Sequence, residues 1–168
     1  IDNTRGISEL VRHVVEDCHR RKLVFIQGLP EQRDAIERET AFRREVMRYN
    51  LPQPVFIRGD FSAAVAAQSL RDYIVQDQQF DGVVAADYLM GAAAVATLRD
   101  AGLAVPHQVA VVGFGDAPEA ESAGLTVVAA DVIEQGRRTA RQLIAQIEGQ
   151  RISGVTVLQA RLIIRETS

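Results

Sequence analysis

Four short runs of apolar residues, each closed by a turn signal, most constrain what this chain can fold into. They are Leu23-Val24-Phe25-Ile26 before Gly28, Val55-Phe56-Ile57 before Gly59, Val83-Val84-Ala85-Ala86 before Asp87, and Val109-Ala110-Val111-Val112 before Gly113. Their apolarity is continuous rather than alternating, which is the pattern of a strand covered on both faces. Between them the period changes to that of helices. Ile7, Leu10, Val11, Val14 and Val15 share one helical face, as do Ala66, Leu70, Tyr73 and Ile74, with Ser62 placed to cap the second helix. Arg33 to Tyr49 reads as a weaker helix, and Tyr88 to Ala101 as an Ala-rich helix stopped by Gly102. Alternating strands and helices predict an α/β fold with a doubly wound parallel sheet.

The last third breaks this rhythm. Leu125 to Ala130 reads as a strand, Val132 to Ile147 as a helix with Ala140, Leu143, Ile144 and Ile147 on one face, and Val155 to Arg165 as a final strand. The length of 168 residues suits one compact domain. A net charge of −3 with dispersed arginines argues against this segment gripping nucleic acid, which requires clustered bases. No apolar run is long enough to span a bilayer, so no membrane contact is expected from this segment. Cys18 is the only cysteine, which excludes an internal disulfide and any multi-cysteine zinc site. His13 and Cys18 stand five apart, a spacing that does not share an α-helical face, so no metal or nucleophile cluster is expected there. No Walker loop or nucleophile elbow occurs, and Gly113-Phe114-Gly115 reaches Pro118 where a dinucleotide loop needs its third glycine. No cofactor and no catalytic residue are expected.

In such a sheet, ligands bind beyond the carboxyl ends of the strands. The turns there carry a family resemblance. Arg38 with Ala41-Phe42, the turn Gly59-Asp60-Phe61-Ser62, Gly102-Leu103 with Val105-Pro106 and Val109 to Phe114, Leu125-Thr126 with Gly136, and Leu162 to Arg165 follow one another in the order of LacI/GalR-type sensors. The chain resembles the C-terminal portion of such a periplasmic-binding-protein-like (type I) sensor, truncated. The resemblance implies a second lobe built from about 1–124 and 153–168. It implies that about 125–150, a strand and a helix, belong to the first lobe. It further implies a cytoplasmic regulator that closes on a sugar- or nucleoside-like effector, and DNA contact only through a domain outside this chain. A lobe helix without its partner also leads to an expected homo-oligomer. Two other contexts carry such a sensor: a signalling protein with a catalytic module such as a GGDEF-type diguanylate cyclase, and a periplasmic solute-binding protein.

The resemblance implies ligand contacts at Arg38, Asp60, Phe61, Asp87, Phe114 and Asp116. A guanidinium meets carboxylates and hydroxyls, a ring stacks on a ring, and carboxylates accept hydrogen bonds from hydroxyls. Each has a plainer alternative: helix N-cap for Asp87, surface ion pair for Arg38, packing under the loop for Phe61, turn residue for Asp60. Two family anchors are replaced. Ala86 stands where an Asn is usual, and Gly115, not an Asp, follows Phe114. Either the ligand is unusual or the lobe is a scaffold.

Overall fold

A computed structural model describes residues 1–76, 79–151, 154 and 157–168. All four apolar runs form strands: β1 (Leu23–Gln27), β2 (Val55–Arg58), β3 (Gly82–Ala85) and β4 (Ala110–Phe114). Two more follow, β5 (Thr126–Ala129) and β6 (Arg161–Ile163). One six-stranded sheet runs in the order β2-β1-β3-β4-β5-β6. The first five strands are parallel, and β6 closes the edge antiparallel to β5 through Val127–Ile163 and Ala129–Arg161.

The helices are α1 (Asn3–Arg12), α2 (Arg33–Arg48), α3 (Ala63–Val75), α4 (Tyr88–Asp100), the short α5 (Pro118–Ser122) and α6 (Val132–Ile147). Helix α1 packs on α2, and α3 packs on α4. Right-handed crossovers place these pairs on opposite faces of the sheet. The apolar stripe of α1 and the turn that follows it is wholly interior: Ile7, Leu10, Val11 and Val14 have no exposed surface. Phe25 and Phe42 stack at 4.6 Å beneath α2. Each such large side chain contributes roughly 1.5–3 kcal/mol by leaving water. Caps appear where the sequence places them: the Ser62 side chain accepts from Val65 N–H and that of Asp87 from Met90 N–H.

The strand expected at 125–130 forms as β5, hydrogen-bonded between β4 and β6 with its four residues all buried. Helix α6 behaves in the opposite way, with no buried residue along its length. Two expectations need correction. Among the described residues of 155–165, the final strand is shorter than its β-branched composition suggests, since only Arg161–Ile163 pair. Residues 155 and 156 of that expected strand lie outside the described residues.

The second correction concerns His13 and Cys18. The chain beyond Arg12 runs on as a π-helical turn, His13–Asp17. A π turn pairs i with i+5, and Cys18 N–H donates to His13 O at 3.0 Å. The Cys18 Sγ then lies 3.5 Å from His13 Nε2. The imidazole is buried, with Nδ1 2.8 Å from Asp17 Oδ2 and Nε2 2.9 Å from Ser168 Oγ. Burial pushes the Cys18 thiol up, away from a reactive thiolate. Among the described residues, no three His, Cys, Asp or Glu side chains gather as a metal site.

Candidate functional site

The chain reverses direction across the sheet between β1 and β3: it first moves outward to β2, then returns past β1. Beyond the carboxyl ends of the strands at this switch lies a cleft of about 380 Å³. Arg38, Phe61, Asp87 and Phe114 line it, together with Tyr88 and Gly115. Ile1, Ala130 and Val132 form its rim, so the segments before α1 and after β5 border the cleft. The segment before β6 joins them there, because Asp2 N–H donates to Leu158 O at 3.3 Å.

Arg38 is the centre of the polar wall. It projects from α2 toward α1 and is only 9% exposed. Its Nε donates to Asn3 Oδ1 at 2.9 Å and its Nη1 to Ala86 O at 2.8 Å. The guanidinium carbon lies 4.0 Å over the Phe114 ring, a cation–π contact in a dry setting. Nη2 is held more loosely, 3.8 Å from Asp34 Oδ2. Burial lowers the pKa of Arg38, while the carboxylates of Asp34, Asp87 and Glu37 act against it. An arginine stays charged through such a shift. Helical spacing explains the cluster: Asp34, Glu37 and Arg38 lie three and four apart on α2, and Asn3 Nδ2 donates to Asp34 at 2.9 Å and Glu37 at 2.8 Å. Arg38 is therefore a buried, fully oriented group rather than a surface ion pair.

Asp87 performs its structural role and still lines the cleft. One carboxylate oxygen caps α4 through Met90 N–H at 2.9 Å. Burial raises its pKa, against the Met90 and Leu89 N–H groups and the charge of Arg38. Phe61 follows Asp60, and both adopt left-handed backbone with φ of 54°. That turn lays the Phe61 ring directly over Gly28, where a Cβ would lie 2.3 Å from ring carbon Cζ. Only glycine admits the ring so close to β1.

Two of the six expected residues lie elsewhere. The turn at Asp60 directs its carboxylate to Arg58, and it lines a separate cavity of about 500 Å³ with Gln27, Glu39 and Arg58. Polar groups there satisfy one another: Gln27 Nε2 donates to Glu39 Oε2 at 2.8 Å, and Arg43 to Glu39 Oε1 at 2.6 Å. Asp116 is held by Arg165 Nη2 at 2.9 Å, beside β6 and outside the cleft. Tyr88 and Gln32 line the cleft and were missed, because Tyr88 reads in sequence only as the start of a helix. Its position directly after the capping Asp87, at a strand's carboxyl end, is the signal that identifies it.

Among the described residues, no helix is long and apolar enough to cross a membrane. Residues 11–168 match the family described as periplasmic binding protein-like domain. The chain is 32% identical over 172 residues to the HTH-type transcriptional regulator CelR of Thermobifida fusca, covering 99% of this chain and 50% of that protein. It is 26% identical to the HTH-type transcriptional repressor CytR of Escherichia coli, covering 98% of this chain and 50% of that protein. A solved CelR–cellobiose complex superposes with a TM-score of 0.88 at 30% identity, over 100% of this chain and 53% of that one. A dimeric Lac repressor shares the fold, with a TM-score of 0.93 at 21% identity over 100% of this chain and 62% of that one. The chain spans about half the length of the curated relatives it matches. These relatives are named as transcriptional regulators, and none of those named here is a diguanylate cyclase or a solute-binding protein. The chain belongs to the periplasmic binding protein-like domain family and is homologous to the LacI-type regulators.

Proposed function

We propose that this chain is the effector-sensing lobe of a cytoplasmic LacI/GalR-type transcriptional regulator, and that its cleft takes a sugar- or nucleoside-like molecule. The observation that carries the reading is the convergence of Arg38, Phe61, Asp87 and Phe114 on one cleft at the carboxyl ends of the strands. A charged fork, a capped carboxylate and aromatic rings are what a hydroxylated ring needs for orientation and stacking. Sugars are favoured over nucleosides because the CelR structure at 30% identity is a cellobiose complex.

In this reading the six-stranded sheet and its packed helices form the sensing lobe, and helix α6 reaches into a facing lobe. The bare helix α6 supports that division, as does the meeting of three backbone segments at the rim of the cleft. Closure of the two lobes on the effector is the signal, and it requires contacts made only in the closed state. DNA contact belongs to a helix-turn-helix outside this chain, and the regulator works as a homo-oligomer.

The test is thermal denaturation of the intact two-lobed sensor with cellobiose, other sugars and nucleosides at millimolar concentration. A bound effector at a hundred times its Kd stabilises the native state by about 2.7 kcal/mol, a shift of several degrees. Arg38→Ala abolishes that shift if the cleft is the site. A panel with no stabilising compound favours a second reading, in which the lobe is a scaffold. Ala86 and Gly115 speak for it, since neither offers a polar side chain at the cleft.

A further inference from the structure

Among the described residues, the polar side chains around the cleft are mostly committed within the protein, with Gln32 and Tyr88 the exceptions. Arg38 is tied to Asn3 and Ala86, Asp34 to Asn3, and Asp87 to the first turn of α4. Even the Ala86 carbonyl is occupied, by Arg38. Tyr88 differs. It is half-buried, and its hydroxyl makes no hydrogen bond with any described residue while remaining open to solvent.

Its ring is nevertheless fixed. A Cβ on Gly115 would lie 3.1 Å from Tyr88 Cδ1 and 3.8 Å from Cε1, so the ring rests against the glycine backbone. The φ of +93° at Gly115 disfavours any side chain there, which reserves that volume for Tyr88. A phenol held this way is inexpensive while solvated. Once the cleft closes, its hydroxyl needs a partner, because a desolvated polar group without one is penalised. Arg38, Asp34 and one oxygen of Asp87 are already engaged, and only the exposed Gln32 amide shares the cleft unpaired, so a ligand hydroxyl is the partner we assign to Tyr88. Phe61 lines the same cleft and offers an apolar ring face. One ring for stacking and one for both stacking and hydrogen bonding suit a saturated ring that bears hydroxyls.

We infer that Tyr88 is a specificity-determining contact for a pyranose sugar, supplying the polar contact that Ala86 and Gly115 do not. This rests on the cleft being the effector site. The test is isothermal titration of the intact sensor with a sugar panel of cellobiose, glucose, galactose and maltose, comparing the wild type with Tyr88→Phe and Arg38→Ala. Tyr88→Phe removes only the hydroxyl. It is expected to weaken sugar binding about tenfold and to leave the melting temperature of the unliganded protein unchanged. Wild-type affinity in Tyr88→Phe, together with lost binding in Arg38→Ala, overturns the role of Tyr88 and leaves the effector site standing. A lowered melting temperature in unliganded Tyr88→Phe also overturns it, by showing that the hydroxyl serves the fold. If no sugar of the panel binds the wild type at millimolar concentration, both the sugar contact and the sugar-sensing reading fall.

Discussion

Replacing Arg38 by Ala tests whether the polar wall of the cleft is a built feature of the fold. The substitution removes donors from two acceptors, Asn3 Oδ1 and Ala86 O, and takes the guanidinium off the Phe114 ring. Each buried acceptor left unpaired costs about 1–3 kcal/mol. The lost cation–π contact adds about 1–2 kcal/mol in a desolvated setting. Against this stands the relief of no longer burying a charge that is only 9% exposed. Water entering the vacated space also re-pairs part of what is lost. The net expectation is a loss of about 2–4 kcal/mol, which for a chain of this size lowers the melting temperature by roughly 4–16 °C. Thermal unfolding followed by far-ultraviolet circular dichroism measures it, with Arg38→Lys as companion. Lysine restores the charge but not the planar fork, so it should recover less than half of the loss. A shift below 2 °C in Arg38→Ala would show that the guanidinium is not held as described, and the cleft would lose its central group.

Three further outcomes are expected. Gly28→Ala places a methyl in the volume of the Phe61 ring; it should cost about 1–3 kcal/mol by overpacking and weaken effector binding, and a variant equal to wild type in both shows that the ring is not held on β1. Burial raises the pKa of Asp87, so between its usual value and the raised one the folded state binds more protons than the unfolded. The stability of the wild type relative to Asp87→Asn should therefore decline as pH rises through that window, and identical pH slopes in urea unfolding would refute it. Leu143, Ile144 and Ile147 are 57%, 55% and 78% exposed along α6, so the isolated chain should self-associate, and Leu143→Glu with Ile144→Lys should suppress it; wild-type light scattering that reports only monomer at high concentration contradicts this.

Much of the fold is legible in the sequence because its strands are covered on both faces, so Leu23–Ile26 and Val109–Val112 announce themselves by unbroken apolarity. Less legible are features decided by neighbours far along the chain. Thr126–Ala129 and the following helix both read as elements with apolar residues to bury, yet pairing with β4 and β6 is what separates a buried strand from a bare helix. The spacing of His13 and Cys18 misleads because one extra residue in a π turn realigns them. At the cleft, Arg38, Phe61, Asp87 and Phe114 follow from motif positions. Asp60 and Asp116 do not, since nothing local reveals that Arg58 and Arg165 claim their carboxylates. Tyr88 escapes for the reverse reason: its importance comes from the absence of a side chain at Gly115.

The sheet is finished by residues far along the chain from β5. Between β5 and β6 the backbone leaves on the excursion that holds α6, then returns to place Arg161–Ile163 beside β5. The residues after β6 fasten both sides of that edge: Thr167 Oγ1 donates to Val111 O at 2.7 Å and accepts from Thr126 N–H at 3.0 Å. Thr167 itself has no exposed surface. A ribosome delivering this polypeptide would therefore release β1 to β5 well before their edge can be sealed. Until the returning segment arrives, β5 presents an open row of backbone donors and acceptors, the kind of edge that recruits other chains. Long-range closure of this sort is slow, so the interval between synthesis of β5 and docking of β6 is when a nascent chain of this design is most exposed to aggregation and most in need of a chaperone.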